Sequence, residues 1–113
     1  MENLLKISED LQGYKELVGQ AAPVVAITHD MFKKEVFGDA SLSGRMKRLI
    51  GVAVAVESGS FSCLVNQTKQ AVGLGATKDE VMEAVSVAIA MGGTGTLQYG
   101  GLVVKVLQEL GKW

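Results

Sequence analysis

One short segment collects side chains that can do chemistry. Ser60, Cys63 and Gln67 lie three and four residues apart, so a helix through them places all three on one face. Cys63 is the single cysteine, and it falls near the expected start of that helix, where the helix dipole favours the nucleophilic thiolate. A free cysteine is also often a small buried packing residue. Both roles therefore stay open for Cys63, and Ser60 is the expected N-cap.

Three more side chains could assist such a site. Arg48 begins an apolar run, where a cation gains nothing from the helix dipole, so it either binds an anion or is solvated beside Lys47. His29 is the single histidine, and Glu57 ends the apolar run; each is a proton-transfer candidate or simply solvent-facing. The candidate catalytic residues are Cys63, His29 and Glu57, and the candidate substrate- or anion-binding residues are Arg48, Ser60 and Gln67.

Composition excludes several function classes. One cysteine and one histidine leave no basis for a disulfide within the chain or a structural zinc site, so no metal is expected. Gly93-Thr94-Gly95 lacks the preceding strand of a dinucleotide fingerprint, so no cofactor is expected. The net charge of −1 shows no basic stripe, which argues against nucleic acid. No uninterrupted apolar run of about 18 residues predicts a membrane span. The polar N-terminus lacks a signal core, so the cytoplasm is the expected compartment.

The elements that must position these residues read as helices, in one domain over residues 1–113. Helices are predicted over 8–20, from Pro23 to Gly38, over 42–57 after a Ser43 cap, from Ser60 to Gly73, from a Thr77–Glu80 capping box to Met91, and along a final stripe ending at Leu110. In the first two, apolar residues recur at helical spacing: Leu11, Tyr14, Leu17 and Val18, then Val24, Ile27, Met31 and Val36.

Two segments are more apolar than one small domain readily covers. The run from Leu49 to Val56, LIGVAVAV, also fits a buried strand, but its length and the lack of a partner strand favour a helix. The run from Val81 to Met91 contains only two polar residues. Aromatic residues make up 5% of the chain, so the core must consist of Ala, Val, Leu, Ile and Met. Together these features predict a homo-oligomer with a shared core.

The order and spacing of several motifs resemble a known family. These are Leu42-Ser43, Leu49-Ile50, Gly75-Ala76-Thr77-Lys78-Asp79-Glu80-Val81-Met82-Glu83-Ala84, Met91-Gly92-Gly93 and Tyr99, in addition to the segment around Cys63. Over about Pro23 to Leu107 the chain is similar to the carboxymuconolactone decarboxylase family, which shares its fold with alkylhydroperoxidase D. The resemblance implies an all-α fold of about six helices, assembly as a homo-trimer or homo-hexamer, and a site at the start of the helix carrying Cys63.

The peroxidase branch of that family carries Glu, eleven residues, Cys, two residues, Cys, three residues and His. On this sequence those positions are Arg48, Ser60, Cys63 and Gln67, so only the second cysteine is kept. Gln67 cannot relay a proton and Ser60 cannot resolve a sulfenic acid, which excludes the dithiol mechanism. The resemblance then implies a decarboxylase-like protein that binds or acts on a small carboxylated or lactone-like molecule near Cys63. The alternatives are a non-catalytic oligomer and a single-cysteine redox protein resolved by an external thiol.

Overall fold

The computed structural model describes residues 3–113, and all regular structure in that range is helical. The helices are α1 (Leu4–Gly13), α2 (Lys15–Ala21), α3 (Pro23–Phe37), α4 (Gly44–Ser58), α5 (Phe61–Gly73), α6 (Lys78–Gly92) and α7 (Thr96–Glu109). Only Tyr14 separates α1 from α2, so the pair forms one interrupted element and the predicted all-α fold of about six helices is confirmed. The ambiguous run LIGVAVAV lies inside α4 and is helical.

Local capping signals explain where three helices begin. The Ser43 hydroxyl accepts a hydrogen bond from the Met46 amide at 3.1 Å and starts α4. Thr77 and Glu80 form a reciprocal capping box at the start of α6, with distances of 3.0 and 3.1 Å. Pro23 occupies the first turn of α3, where its missing N–H costs no hydrogen bond. The sequence predictions for these starts are confirmed.

The predicted start of α5 after Ser60 is confirmed but its predicted capping bond is absent, and the predicted start of the first helix is wrong. Ser60 stands at the N-cap position of α5, but its hydroxyl makes no capping hydrogen bond. The first helix begins at Leu4 rather than near Ser8, and it is interrupted at Tyr14. Its start is set from a distance: the Glu109 carboxylate at the end of α7 accepts hydrogen bonds from the amides of Leu4 and Leu5 at 2.8 and 3.0 Å. Because Leu4 and Glu109 are 105 positions apart, no local sequence pattern predicts this helix start.

The core forms around α4, which contacts α3, α5, α6 and α7. Its buried apolar residues are all Val, Leu or Ala, with Ile, Met and the aromatic residues at most partly buried against them. Small side chains let backbones approach closely. At Gly100 in α7, an added Cβ would lie 2.9 Å from Val85 Cγ1 in α6, so this glycine sets the spacing of the two helices. The core therefore needs little side-chain volume.

The pair α2 and α3 stands apart from this core, because neither helix has a buried residue. The regular apolar spacing of α3 gives exposed side chains, with Val24 76% and Met31 67% exposed. The C-terminal end of α3 is the part that matters for the site, since Val36 and Phe37 face α4 there. The apolar stripe of α3 therefore lies outside the core that the described residues form.

Replacing Glu109 by Gln should weaken the junction of α1 and α7 in a pH-dependent way. Burial of the Glu109 carboxyl raises its pKa, but the amides of Leu5 and Leu4 and the charge of Lys105 outweigh burial, so the pKa lies below 4.5. The carboxylate therefore stabilises the fold at neutral pH, and that contribution is lost as the pH falls from 4.5 through the lowered folded pKa.

We expect Glu109→Gln to lower the free energy of unfolding at neutral pH by on the order of 0.5 kcal/mol, the low end for a helix cap because the group is largely solvated. The difference should shrink in acid. Urea unfolding across this pH range measures it, with Glu9→Gln, on the exposed side of α1, as the control. A Glu109→Gln deficit that is the same at all pH values would contradict this role.

Candidate functional site

A cavity of about 630 Å³ lies between the end of α3, the length of α4 and the start of α5. The volume is in the range of small-molecule sites. Most of its wall is apolar and comes from Val36, Phe37, Ile50, Gly51, Val54 and Ala55. The polar contributions come from Lys47, Ser58, Ser60, Cys63 and Gln67. No Asp, Glu or His of the described residues lines this cavity.

The structure brings Ser60, Cys63 and Gln67 together, since all three line the cavity from α5. Cys63 is the third residue of α5 and is exposed, so in one protomer it is not a buried packing residue. Its position in the first helical turn gives the thiol both access and the favourable end of the helix dipole. Ser60 faces the same space because its hydroxyl is not used as a cap.

Gln67 is the best-enclosed polar residue of the site, with 8% of its surface exposed. Its amide lies against the backbone of α4 at Gly51. A Cβ at Gly51 would lie 2.7 Å from Gln67 Oε1 and 2.8 Å from Gln67 Cδ, far closer than real contacts. Gly51 therefore lies in the middle of apolar α4 because a larger residue there would overlap the Gln67 side chain of α5.

Arg48 is held between two cavity-lining residues, although it does not line the cavity. Its Nη1 donates a hydrogen bond to Gln67 Oε1 at 3.2 Å, and its Cζ lies 3.9 Å from the centroid of the Phe37 ring. The ion pairs found among residues 3–113 are Lys6–Asp10 and Arg45–Glu80, so Arg48 has no carboxylate partner there.

Partial burial lowers the pKa of the Arg48 guanidinium, which nonetheless stays protonated at neutral pH. The alternative that Arg48 is simply solvated beside Lys47 does not fit these contacts.

His29 and Glu57 lie elsewhere on the protomer. His29 is exposed on α3 and lines two other surface clefts, with Val25 and neighbouring residues of α2 and α3. Glu57 is exposed near the end of α4 and faces a separate cleft with Gly92 and Tyr99. Within one protomer, neither of these two catalytic candidates meets Cys63 in the cavity.

Three residues of the site were not predicted from the sequence as site residues. The Phe37 ring packs against the guanidinium of Arg48, and the missing side chain at Gly51 leaves room for the Gln67 amide. Lys47 lines the cavity and its ammonium donates to the Gly38 carbonyl at 2.7 Å, tying the loop after α3 to α4. An isolated glycine inside an apolar helix signals close packing and could have indicated Gly51. Phe37 had no local signal beyond its place at the end of α3.

Other kinds of site find no support in the described part of the chain. Across residues 3–113, no group of three or more His, Cys, Asp or Glu side chains is placed to hold a metal ion. None of the helices over that range has the length and apolar character needed to cross a membrane. The described residues therefore form an all-helical protein in which a mainly apolar cavity presents a thiol and an amide, with a lysine in its lining and Arg48 adjoining it.

Comparison with known proteins gives the family. The sequence profile of the carboxymuconolactone decarboxylase family matches residues 15–105, and the chain belongs to this family. Two similar proteins are themselves uncharacterized. One, from Cupriavidus necator, is 36% identical over 67% of this chain and 67% of its own length. The other, encoded in a cox locus of Paracoccus denitrificans, is 33% identical over 82% of this chain and 86% of its own length.

A solved structure establishes the same fold. The apo form of a carboxymuconolactone decarboxylase family protein from Legionella pneumophila superimposes with a TM-score of 0.90. The alignment covers 96% of this chain and 97% of that chain at 23% identity. The fold that the resemblance implied is therefore confirmed.

Adding one methyl group at Gly51 should disturb the site, whereas the same change at Gly101 should not. Both glycines lie inside helices, where Gly→Ala alone stabilises by about 1 kcal/mol. At Gly101 nothing lies within 4 Å of the added Cβ, but at Gly51 it overlaps the Gln67 amide. We expect Gly101→Ala to stabilise, and Gly51→Ala to destabilise by up to about 1 kcal/mol in denaturant unfolding, because the Gln67 amide must move away from Arg48. Equal effects of the two substitutions would contradict the packing described for Gln67.

Proposed function

We propose that this protein binds a small carboxylated or lactone-like molecule in the cavity between α3, α4 and α5, as a decarboxylase-like member of its family. One observation carries the proposal: among the described residues, the lining of this apolar cavity includes a lysine and no acid, and Arg48 adjoins it. Lys47 lines the cavity, and Arg48 stands directly behind Phe37 and Gln67. An apolar body with one anionic or strongly polarised oxygen matches that arrangement.

The state of Arg48 supports an anionic or polarised ligand. Burial lowers the pKa of its guanidinium because the charge has lost hydration, and no carboxylate among residues 3–113 pairs with it. A ligand carboxylate near Gln67 would supply the missing negative charge in surroundings of low dielectric constant. Charges interact more strongly there than in water. The proposed ligand would therefore relieve a cost that the free protein carries.

The nature of any turnover depends on proton donors. Decarboxylation leaves a carbanion or dienolate that needs a cation nearby and a proton. Cys63 and Lys47 are the titratable side chains that line the cavity, whereas His29 and Glu57 lie outside it. Binding without turnover is favoured by this placement, and it is the second candidate function. A decarboxylase would have to take its proton from Cys63 or from a group of another copy.

A single-cysteine redox role is the remaining alternative. Peroxide would oxidise the Cys63 thiolate to a sulfenic acid, and an external thiol would condense with it to a mixed disulfide with loss of water. A second thiol would then attack the external sulfur, forming a disulfide between the two external thiols and releasing the Cys63 thiolate. The exposure of Cys63 permits such an encounter. The dithiol route of the peroxidase branch stays excluded, because Ser60 and Gln67 occupy the positions of its other cysteine and its histidine.

We further propose that the protein acts as a homo-oligomer, a trimer or hexamer as the resemblance implies. Large apolar side chains on α3 are exposed, among them Val25, Ile27 and Phe32, each at 60% or more. On α4 and α6, Val54, Val87 and Met91 are exposed as well. Many large apolar side chains exposed on one small domain favour an interaction surface. Contacts between copies would bury it, in line with the weak attachment of α3 to its own protomer.

The ligand proposal predicts that a carboxylate shields Cys63. Labelling of Cys63 by iodoacetamide, followed by mass spectrometry, should slow about fivefold or more when phthalate saturates the cavity. Dimethyl phthalate, the neutral analogue, should protect much less. Arg48→Met should abolish the difference between the two probes, whereas Arg45→Met, whose guanidinium pairs with Glu80 outside the cavity, should keep it. Labelling indifferent to phthalate would refute a carboxylate site near Cys63.

The assembly proposal predicts a trimer or hexamer in sedimentation equilibrium at micromolar concentration. Ile27→Glu places a charge on the exposed apolar face of α3 and should shift the protein toward smaller species. Gln98→Glu adds the same charge at an exposed polar position of α7 and should leave the mass unchanged. A monodisperse monomer of the parent protein at this concentration would contradict the assembly proposal.

A further inference from the structure

Gln67 carries a hydrogen-bond donor that the protein leaves unused. A guanidinium has only donors, so the side-chain oxygen of Gln67 must face Arg48, and its Nε2 group points away from it. Among residues 3–113, no hydrogen bond is formed by Nε2. Every fully buried side-chain nitrogen or oxygen in that range has a partner, so the unpartnered Nε2 is not fully buried. Because Gln67 is only 8% exposed and lines the cavity, a ligand in that cavity is the natural partner for this N–H.

The orientation of this amide is fixed from two sides. Arg48 donates a hydrogen bond to the amide oxygen at 3.2 Å, and the absence of a side chain at Gly51 lets the amide pack against α4. Arg48 is itself held on the Phe37 ring. A flipped amide would set its N–H groups against a guanidinium, donor against donor, which the charge of Arg48 forbids. The donor is therefore preorganised before any ligand arrives.

We propose that Gln67 is the specificity-determining residue of the cavity, donating a hydrogen bond from Nε2 to an sp² oxygen of the ligand, while Arg48 is the positioning residue that fixes the amide. This inference rests on the proposed ligand class and names the contact that selects within it. A carboxylate oxygen and a lactone carbonyl oxygen share the required chemistry. A ligand of the same shape without that oxygen leaves the N–H unpaired in an apolar cavity.

The neighbouring groups strengthen the contact and place the reactive thiol beside it. Withdrawal of electron density by the guanidinium at the amide oxygen makes the Nε2 hydrogens better donors, as in other hydrogen-bond chains. Cys63 lies one turn before Gln67 on the same face of α5, so the bound oxygen lies near the thiol. The rest of the cavity, represented by Val54 and Ile50, accepts a flat apolar body.

A matched pair of neutral ligands tests the donor. Coumarin is a lactone, and chromene is the same bicyclic molecule with a methylene group in place of the carbonyl. We expect coumarin to bind the parent protein about tenfold more tightly than chromene, in line with one hydrogen bond to a buried partner. Gln67→Glu keeps the shape and the contact with Arg48 but removes the donor, so it should lose the preference. Gln67→Met, an uncharged second variant, should lose it too.

The positioning role of Arg48 has its own readout. In protein labelled with nitrogen-15, coumarin should shift the Gln67 side-chain amide hydrogens downfield, and chromene should not. Arg48→Met should reduce both the shift and the preference for coumarin, because the amide is then free to flip. Arg48→Lys, which can still donate to Oε1, should restore part of each. Arg45→Met should behave as the parent.

The outcomes separate this inference from the proposed function. If phthalate protects Cys63 but coumarin and chromene bind the parent equally, the ligand site stands and the role of Gln67 is overturned. A coumarin preference that persists in Gln67→Glu and Gln67→Met overturns it as well. If phthalate, coumarin and chromene all fail to bind, the proposed function falls and takes this inference with it. A preference for phthalate over coumarin that needs Gln67 identifies the selected oxygen as a carboxylate.

Discussion

The site depends on a partly buried cation that bonds to an amide rather than to an acid. Burying a guanidinium is unfavourable unless its donors and its charge are satisfied. Here the Gln67 oxygen satisfies a donor and the face of Phe37 meets the charge, but no carboxylate neutralises it within residues 3–113. This charge adjoins the apolar cavity through Gln67 and Phe37, which line it. That imbalance is the physical reason to expect a ligand with a carboxyl or lactone oxygen.

The same interaction explains features that are otherwise costly. A glycine inside a helix weakens it, yet Gly51 is needed for the Gln67 amide to reach Arg48. Phe37 must stand at the end of α3 to cover the guanidinium, which anchors the otherwise loosely attached helix to α4. Helix α3 then projects an apolar face outward.

Much of the fold could be predicted from sequence because its determinants are local. The Thr77 capping box and Pro23 each act within one helical turn, and the family was indicated by motifs of fixed spacing. The site was only partly predictable. The spacing of Ser60, Cys63 and Gln67 placed them on one face, but the partner of Arg48 is set by packing between helices. Neither the separation of His29 from the cavity nor the long-range cap by Glu109 leaves a local pattern.

A double-mutant cycle between Arg48 and Gln67 tests most directly whether this pair organises the site. The free energy of unfolding would be measured for the parent, Arg48→Met, Gln67→Met and the double variant. A partly buried hydrogen bond from a charged donor predicts a coupling energy of about 1.5 kcal/mol. Additivity within about 0.3 kcal/mol would show that the two side chains act independently, and it would contradict the account of the cavity as a preorganised donor site.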